Sequence, residues 1–297
     1  MHVVDIKWRS ASSGNFELGF LSWPQDSSEV EFHLLRIGQA ISWEILGPRL
    51  CVGYRDSDGR LVECPERSTI LRHGTRCGPC SAMDNYDACM RCDGKDCTAS
   101  AERRRACKES EYAVYLALFG ESTVKVGVST LRRVQIRWIE QGADYGVVLS
   151  VIKDGQEARR LESLLDKLSS VVKQVRSSRK VSGLHAKMTP SMAKAALEGF
   201  LESQTVIKRS DIFEITDLSQ YYDLGGLDAR PQMWFKNSDQ VAGQKMLGEI
   251  VGAKGSLLVT RIAGSYKVAD LRRLVGYTIS MDAEIEISTQ SGLDDFI

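Results

Sequence analysis

The sequence predicts an α+β protein in which a small zinc-ribbon-like, cysteine-rich region precedes a β-β-α-β-α domain and a C-terminal β-rich domain. Three observations predict this class. All eight cysteines of the 297-residue chain fall between positions 51 and 107. Strand-like and helix-like runs then alternate over residues 111–203, and short strand-like runs return after residue 203.

Composition limits the domain organisation. Hydrophobic residues make up 43% of the chain and prolines number only 6, which favours two to three compact domains without long disordered linkers. Basic and acidic residues both total 39, so the net charge says nothing about a nucleic-acid partner. The predicted divisions are a β-rich N-terminal segment (1–47), a two-zinc region (48–110), the β-β-α-β-α domain with a helical extension (111–203), a C-terminal β-rich domain (204–287) and a tail (288–297).

The cysteines are spaced as metal ligands. Two intervals are C-x-x-C pairs, which turn two thiolates toward one tetrahedral cation. Chain order predicts two complete sites, because the turn-rich segment 55–60 would bring the first two cysteines together beside the first pair. Four thiolates leave no open position for a reacting water, so we predict structural zinc in both sites. The first set is Cys51, Cys64, Cys77 and Cys80, and the second is Cys89, Cys92, Cys97 and Cys107.

Alternatives to two zinc sites stay open. Disulfides would need an oxidising compartment, and residues 1–5 do not begin a signal peptide of basic and then apolar residues. No apolar run approaches the ~20 residues that span a bilayer. We therefore expect a soluble, cytoplasmic protein with reduced thiols. His73 is an alternative ligand of the first site or an ordinary solvated or core histidine, and an iron–sulfur cluster is a further alternative.

The strands and helices of the central domain follow from local patterns. Residues 112–119 are an apolar run typical of a buried strand, and residues 123–128 predict the returning strand of a hairpin. Ser129 is a suitable N-cap for a helix over residues 130–140, which Gly142 would end.

Later elements are predicted on similar grounds. Residues 147–152 predict a third strand. A long helix begins near Gln156, and Pro190 opens another. Strands are predicted at 256–262 and 277–281. The helix that begins near Gln156 has an apolar stripe that consists of Ala158, Leu161, Leu165, Leu168 and Val172.

Basic residues cluster locally. The segment 171–197 carries six Lys and Arg residues and no carboxylate, and residues 103–108 and 125–137 are also rich in cations. Such clusters suit a polyanion, whereas solvated helix faces are the alternative for each stretch singly. Their succession beside cysteine knuckles favours a nucleic acid, with DNA ahead of RNA.

The motifs Ala113–Tyr115 and Lys125–Gly127, in this order of elements, resemble those of the GIY-YIG nuclease superfamily. The resemblance covers roughly residues 112–168 and implies phosphodiester hydrolysis assisted by one Mg²⁺ or Mn²⁺ ion. It implies that Tyr115 helps to deprotonate or position the attacking water, and that Glu162 holds the metal. Arg133 or Arg137 would offset charge on the scissile phosphate.

Lys125 departs from the superfamily's pattern, because it replaces the tyrosine of the second motif and supplies an ammonium group. The superfamily's late asparagine has no position that we can assign. An inactive, nucleic-acid-binding domain therefore remains an alternative to an endonuclease.

A second resemblance covers more of the chain. Residues 124–129, 137–143 and 158–162 resemble a zinc-containing archaeal and bacterial family of unknown function, of the DUF2797 type, which joins cysteine knuckles to a GIY-YIG-like domain. The likeness runs from about Cys51 to Tyr277. This resemblance implies the domain architecture of the chain and says less about its activity, because the function of that family is unknown.

The last eight residues resemble the peptide by which replication and repair proteins bind the sliding clamp PCNA. In this resemblance a short helical turn places Leu293, Phe296 and Ile297 in one apolar pocket, while Gln290 occupies a polar one. Ile297 departs from the commoner second aromatic residue. A frayed tail in which Phe296 folds back on the body is the alternative.

Three hypotheses about function follow. The first is a divalent-metal-dependent DNA endonuclease in replication or repair, recruited by the clamp. The second is a non-catalytic DNA-binding, RNA-binding or RNA-processing module with a degenerate nuclease fold. The third is a zinc-stabilised interaction protein whose arginines only form ion pairs.

Overall fold

The computed structural model describes residues 1–12, 14–24, 29–71, 74–120, 123–167, 172, 174–184, 188–202, 214–235 and 241–281. The four predicted clamp-binding residues lie outside the described residues, as does the alternative zinc ligand His73. These five residues therefore keep the status of predictions. The four are Gln290, Leu293, Phe296 and Ile297.

The mixed α+β class is confirmed, and strands predominate among the described elements. The strands are β1 (His2–Ser10), β2 (Phe16–Trp23), β3 (Glu31–Leu34), β4 (Ala40–Leu46), β5 (Tyr54–Arg55), β6 (Leu61–Val62), β7 (Glu111–Phe119), β8 (Thr123–Thr130), β9 (Tyr145–Lys153), β10 (Thr216–Asp217), β11 (Gln232–Met233), β12 (Lys245–Lys254), β13 (Leu257–Ile262), β14 (Ser265–Asp270) and β15 (Thr278–Met281). The helices are α1 (Gly78–Met83), α2 (Asp87–Met90), α3 (Ala101–Glu109), α4 (Val134–Gln141), α5 (Gly155–Leu165), α6 (Ser177–Ser182) and α7 (Pro190–Glu202).

Nine of the described strands form one mixed sheet that draws on both ends of the chain. Its order is β11-β14-β13-β12-β4-β15-β1-β2-β3. β4 alternates buried Ile41, Trp43 and Ile45 with more exposed residues, so one face of the sheet lies on the core. β4 pairs with both β12 and β15. The N-terminal and C-terminal β regions, which the sequence analysis separates, therefore share one sheet.

The central domain contributes a four-stranded sheet in the order β10-β9-β7-β8. One face of β7, with Tyr115 and Ala117, joins the same core as the nine-stranded sheet. The other face, with Leu116 and Leu118, packs against apolar residues of α5 and α7. β7 is therefore apolar on both faces because other layers cover both of them.

The register of the β7–β8 hairpin decides which side chains meet. Phe119 pairs with Thr123, which leaves a turn of three residues. Ala117 pairs with Lys125, and residues that pair directly point to the same face of a sheet. Because Tyr115 lies two residues from Ala117, Tyr115 and Lys125 share that face.

The helix after β8 begins later than predicted. Thr130 still pairs with Tyr112, so Ser129 belongs to the strand and the prediction that it caps the helix is wrong. A 3-10 turn at Leu131–Arg133 then leads into α4. Gly142 ends α4 in the left-handed conformation (φ 73°), as predicted.

Buried polar contacts join the two sheets. The Tyr222 hydroxyl donates to the carbonyl of Ala143 at 2.7 Å, and Lys254 Nζ donates to Asp144 Oδ1 at 2.5 Å. The two sheets therefore pack with a defined polar pairing as well as a shared apolar core. In the part of the chain that the structure describes, no helix is long and apolar enough to cross a membrane.

Candidate functional site

The first cysteine cluster is assembled by a hairpin and a helix start. β5 and β6 pair around the predicted turn, which brings Cys51 and Cys64 to its open end. Cys77 is the N-cap residue of α1, and Cys80 lies in the first turn of that helix. The four sulfur atoms all lie within 4.8 Å of one another. Cys64 Sγ and Cys77 Sγ are 3.9 Å apart, close to the ~3.8 Å that a tetrahedral zinc with ~2.3 Å Zn–S bonds imposes.

Local hydrogen bonds prepare this cluster for a cation. Cys51 Sγ accepts from the backbone N–H of Cys77 at 3.2 Å and of Gly53 at 3.4 Å. Burial raises the pKa of the Cys51 and Cys80 thiols. Burial also opposes ionisation of Cys64, but hydrogen bonds from the Ser68 backbone and from neighbouring thiols lower its pKa to about 7.

The donor set of this cluster fits a structural zinc ion. All eight cysteines are free thiols, so none of the four sulfurs is consumed by a disulfide. Thiolates are the ligands that zinc prefers, and buried thiols lose their protons readily only beside a cation. The cluster of Cys51, Cys64, Cys77 and Cys80 is therefore a candidate zinc centre.

The second predicted set of cysteines lines one cavity of about 310 Å³ between the short helices and α5. Cys107 lies against Gly155, where an added Cβ would come within 2.6 Å of its sulfur. Among the described residues, only the first four cysteines bring their sulfurs within 4.8 Å of one another. The second site therefore stays a prediction. Its residues are Cys89, Cys92, Cys97 and Cys107.

Tyr115 lies at the centre of a polar cluster on the four-stranded sheet. Its side chain is 1% exposed, and its ring packs edge-to-face on Trp138 with centroids 5.8 Å apart. Gln141 Nε2 donates to Tyr115 Oη at 2.7 Å. Burial raises the pKa of Tyr115 despite the opposing effect of Arg137. The phenol is therefore protonated near neutral pH, which suits positioning of a water better than deprotonation.

The two predicted arginines share one carboxylate. Arg133 Nη2 lies 3.0 Å from Glu140 Oε1, and Arg137 Nη1 lies 3.2 Å from Glu140 Oε2. Arg137 also interacts with the phenol of Tyr115, which helps to raise the pKa of the guanidinium. Arg137 is thus the arginine that interacts with the phenol, whereas Arg133 pairs with Glu140 alone among the described carboxylates.

Lys125 lies on the edge strand β8, and the charge of Glu162 acts on it. Burial lowers the pKa of Lys125, Arg137 lowers it further, and the carboxylates of Glu162 and Asp166 oppose this shift. Glu162 lies on α5, which covers the opposite face of the sheet from Tyr115. Its Oε2 accepts from Arg159 Nη1 at 2.8 Å, and its side chain is 19% exposed.

Among the predicted catalytic residues, Tyr115 and Lys125 share one face of the four-stranded sheet, and the charges of Arg137 and Glu162 act on the pKa values of both. Glu162 and Asp166 are spaced i,i+4, so one helix face offers two carboxylates. Proteins commonly bind Mg²⁺ through one or two carboxylates together with substrate phosphates.

Sequence reasoning missed Gln141 and Asp166. Gln141 supplies a carboxamide at the phenol, and its Oε1 is buried without a hydrogen-bond partner among the described residues. Its only sequence signal is its place beside Glu140 at the end of a helix. Asp166 could have been found by its i,i+4 spacing from Glu162.

Gly127 is required by the placement of the tyrosine ring. An added Cβ would lie 2.5 Å from both Cζ and Oη of Tyr115. We expect Gly127→Ala to displace the ring and to lower the free energy of unfolding by about 1–3 kcal/mol. Urea denaturation measures this change. Gly199→Ala is the control, because nothing lies within 4 Å of its added Cβ. Equal stability of Gly127→Ala and the wild type would contradict the described position of the ring.

A family model matches residues 38–279, a span that contains the first cysteine cluster and the polar cluster. The chain belongs to the DUF2797 family. That family is described as a protein of unknown function, so membership in DUF2797 assigns no activity to the chain. No curated protein and no solved structure matches the chain. The predicted likeness to DUF2797 is confirmed, whereas the resemblances to GIY-YIG nucleases and to clamp-binding peptides stay predictions.

Proposed function

We propose that this DUF2797 protein is a zinc-stabilised, nucleic-acid-processing enzyme that hydrolyses phosphodiester bonds with one divalent metal ion. DNA is the expected substrate, and replication or repair is the expected setting. The single observation that carries the proposal is that Tyr115 and Lys125 share one face of the four-stranded sheet, where Arg137 interacts with the phenol.

The residues of this cluster suit distinct parts of the reaction. Tyr115, held by Gln141, would position the attacking water. Arg137 and Lys125 would stabilise negative charge on the scissile phosphate. Glu162, with Asp166 one turn later, would hold Mg²⁺ or Mn²⁺. A bound divalent ion supplies Lewis-acid stabilisation of the phosphate.

Partner recruitment is part of the proposal. The spacing of Gln290, Leu293, Phe296 and Ile297 supports binding to the sliding clamp PCNA. Such tethering raises the local concentration at replicating DNA without sequence readout. Deleting residues 290–297 should abolish clamp binding and leave cleavage of free DNA unchanged. Clamp binding that survives the deletion would contradict this part.

A non-catalytic nucleic-acid-binding module is the second candidate. Two observations favour it: Lys125 stands where the superfamily has a tyrosine, and Tyr115 is buried and protonated. This candidate keeps the basic surfaces and the cysteine clusters. It differs from the first in having no metal-dependent turnover.

A nicking assay separates the two candidates. Branched and single-stranded DNA and RNA are incubated with the full chain and Mg²⁺, Mn²⁺ or a chelator. We expect metal-dependent cleavage that falls by about 10²–10³-fold in Arg137→Gln, because a cation that stabilises transition-state charge is worth roughly that factor. Arg133→Gln is the matched control, since both arginines bind Glu140 and only Arg137 interacts with the phenol. Binding without turnover in the wild type would favour the second candidate.

A further inference from the structure

A second cationic feature lies apart from the candidate catalytic cluster. A cavity of about 280 Å³ opens where the four-stranded sheet meets β12 of the nine-stranded sheet. Its walls come from the end of β7, the start of β8, the segment after α4, helix α6 and the end of β12. The basic segment 171–197, which the sequence analysis singles out, supplies the α6 wall.

Cations outnumber carboxylates in the lining of this cavity. It contains Arg179, Lys180 and Lys254 but only one carboxylate, Asp144. Asp144 is already engaged, because Oδ1 accepts from Lys254 at 2.5 Å and Oδ2 accepts from the Gly120 N–H at 2.8 Å. The cavity thus has more positive charge than its own carboxylate can balance.

Among the described residues, Lys180 has no carboxylate within 4.0 Å of its Nζ, although Asp270 acts on it from farther away. Lys180 is 9% exposed, and its Nζ donates to the carbonyl of Gln141 at 2.5 Å. A carbonyl carries no net charge, and burying an ammonium group without a close counter-anion is costly. A ligand anion in the cavity would supply the missing counter-charge.

Gln141 connects this cavity to the candidate catalytic cluster. Its backbone carbonyl accepts from Lys180, and its side-chain amide donates to Tyr115. An anion held by Lys180 would therefore lie close to the phenol but outside the cluster. On a nucleic acid, that arrangement suits a phosphate neighbouring the one that is cleaved.

We infer that the cavity lined by Arg179, Lys180 and Lys254 binds a phosphate group of the nucleic acid next to the scissile one. The inference rests on the proposed function and names a substrate-binding subsite for it. The site acts in binding and takes no part in bond cleavage.

The test measures binding without divalent metal, so that no chemistry occurs. A single-stranded DNA oligonucleotide is titrated against the wild type, Lys180→Met and Arg179→Gln over a range of salt concentrations. We expect each variant to bind about tenfold more weakly, because one charge-assisted contact to phosphate is lost. The slope of log affinity against log salt should fall by about 0.7, the value for one phosphate contact on a single strand.

Lys194→Met is the matched control. Lys194 belongs to the same basic segment, but its side chain is 66% exposed and lies 3.9 Å from Glu198. Its removal should change affinity by less than about twofold. Arg179→Gln keeps the test valid if Lys180→Met fails to fold, because Arg179 is exposed and its replacement should leave the core intact. Unchanged affinity and salt slope in both Arg179→Gln and Lys180→Met would overturn the inference.

A second arm separates this inference from the proposed function. Inorganic phosphate should raise the melting temperature of the wild type and not that of Lys180→Met. Phosphate stabilisation without any oligonucleotide binding would overturn the assignment to nucleic acid and the proposed function together. Cleavage that survives in both cavity variants with unchanged oligonucleotide affinity would leave the proposed function standing and overturn the subsite alone.

The pH dependence of oligonucleotide binding provides a further readout. Burial, Arg272, Lys125 and Lys254 lower the pKa of Lys180 to about 7, against the opposing effect of Asp270. Diester phosphates do not titrate near neutral pH, so affinity should rise as the pH falls from 8 to 6 and Lys180 gains its proton. Lys180→Met should lose this rise, and a rise of the same size in that variant would contradict the role of Lys180.

Discussion

Replacing Cys80 by serine is expected to release zinc from the first cysteine cluster and to lower the free energy of unfolding by at least about 3 kcal/mol. Cys80 is 1% exposed, and its sulfur lies within 4.8 Å of three other sulfurs. A serine hydroxyl is a poor zinc ligand, and the remaining three thiols would lose the cation that holds them together. The hairpin β5–β6 and helix α1 would then lose their common anchor.

Zinc content and urea denaturation measure this change. If the second set of cysteines also binds zinc, the wild type should carry two zinc ions per chain and Cys80→Ser should carry one. Ser81→Ala is the control, since Ser81 follows Cys80 in α1 and contributes no thiolate. A chelator should destabilise the wild type more than Cys80→Ser. Full zinc content with wild-type stability in Cys80→Ser would contradict a zinc centre at this cluster.

Replacing Glu162 by glutamine is expected to reduce metal-dependent cleavage by about 10²–10³-fold or more. The substitution keeps the shape of the side chain and removes the negative charge that would hold the divalent ion. Oligonucleotide affinity without metal should stay within about twofold, because Glu162 would bind the metal and not the phosphate directly. The rate of nicking and the equilibrium affinity are measured on the same preparation.

The control for this change is Glu157→Gln. Glu157 lies on the same helix and also pairs with an arginine, since its Oε1 lies 2.5 Å from Arg160 Nη1. Its side chain is 54% exposed, and it should leave cleavage unaltered. Cleavage that persists at the wild-type rate in Glu162→Gln would point to a contaminating nuclease or to another site. Loss of binding together with cleavage would indicate a role in structure or affinity instead of metal binding.

The four cysteines of the candidate zinc centre were predictable because the relevant contacts are local. The C-x-x-C spacing of Cys77 and Cys80 forces both sulfurs to one side of a helix start, and a turn-rich tip between Cys51 and Cys64 indicates a hairpin. Sequence spacing therefore determined which cysteines meet. The second set lacks such a hairpin, and the packing of α3 against α5 decides how closely its sulfurs approach.

The polar cluster was only partly predictable. The motifs around Tyr115 and Lys125 named the residues, but their common face depended on the register of the hairpin. The protonation state of Tyr115 depends on its burial in the core shared with the nine-stranded sheet. The sequence of residues 112–119 does not indicate which part of the fold covers this strand. The contact with Gln141 likewise required the docked position of α4.

By itself the sequence determined the strands of the central domain, the end of α4 at Gly142 and the cysteine set of the first cluster, because turn chemistry, apolar runs and short spacings act over a few residues. The tertiary structure alone decided that strands from both ends of the chain share one sheet, and that Lys180 faces a cation-rich cavity beside Gln141. Pairing between residues hundreds of positions apart leaves no local pattern, and the free energy of a buried charge depends on every layer that excludes water from it.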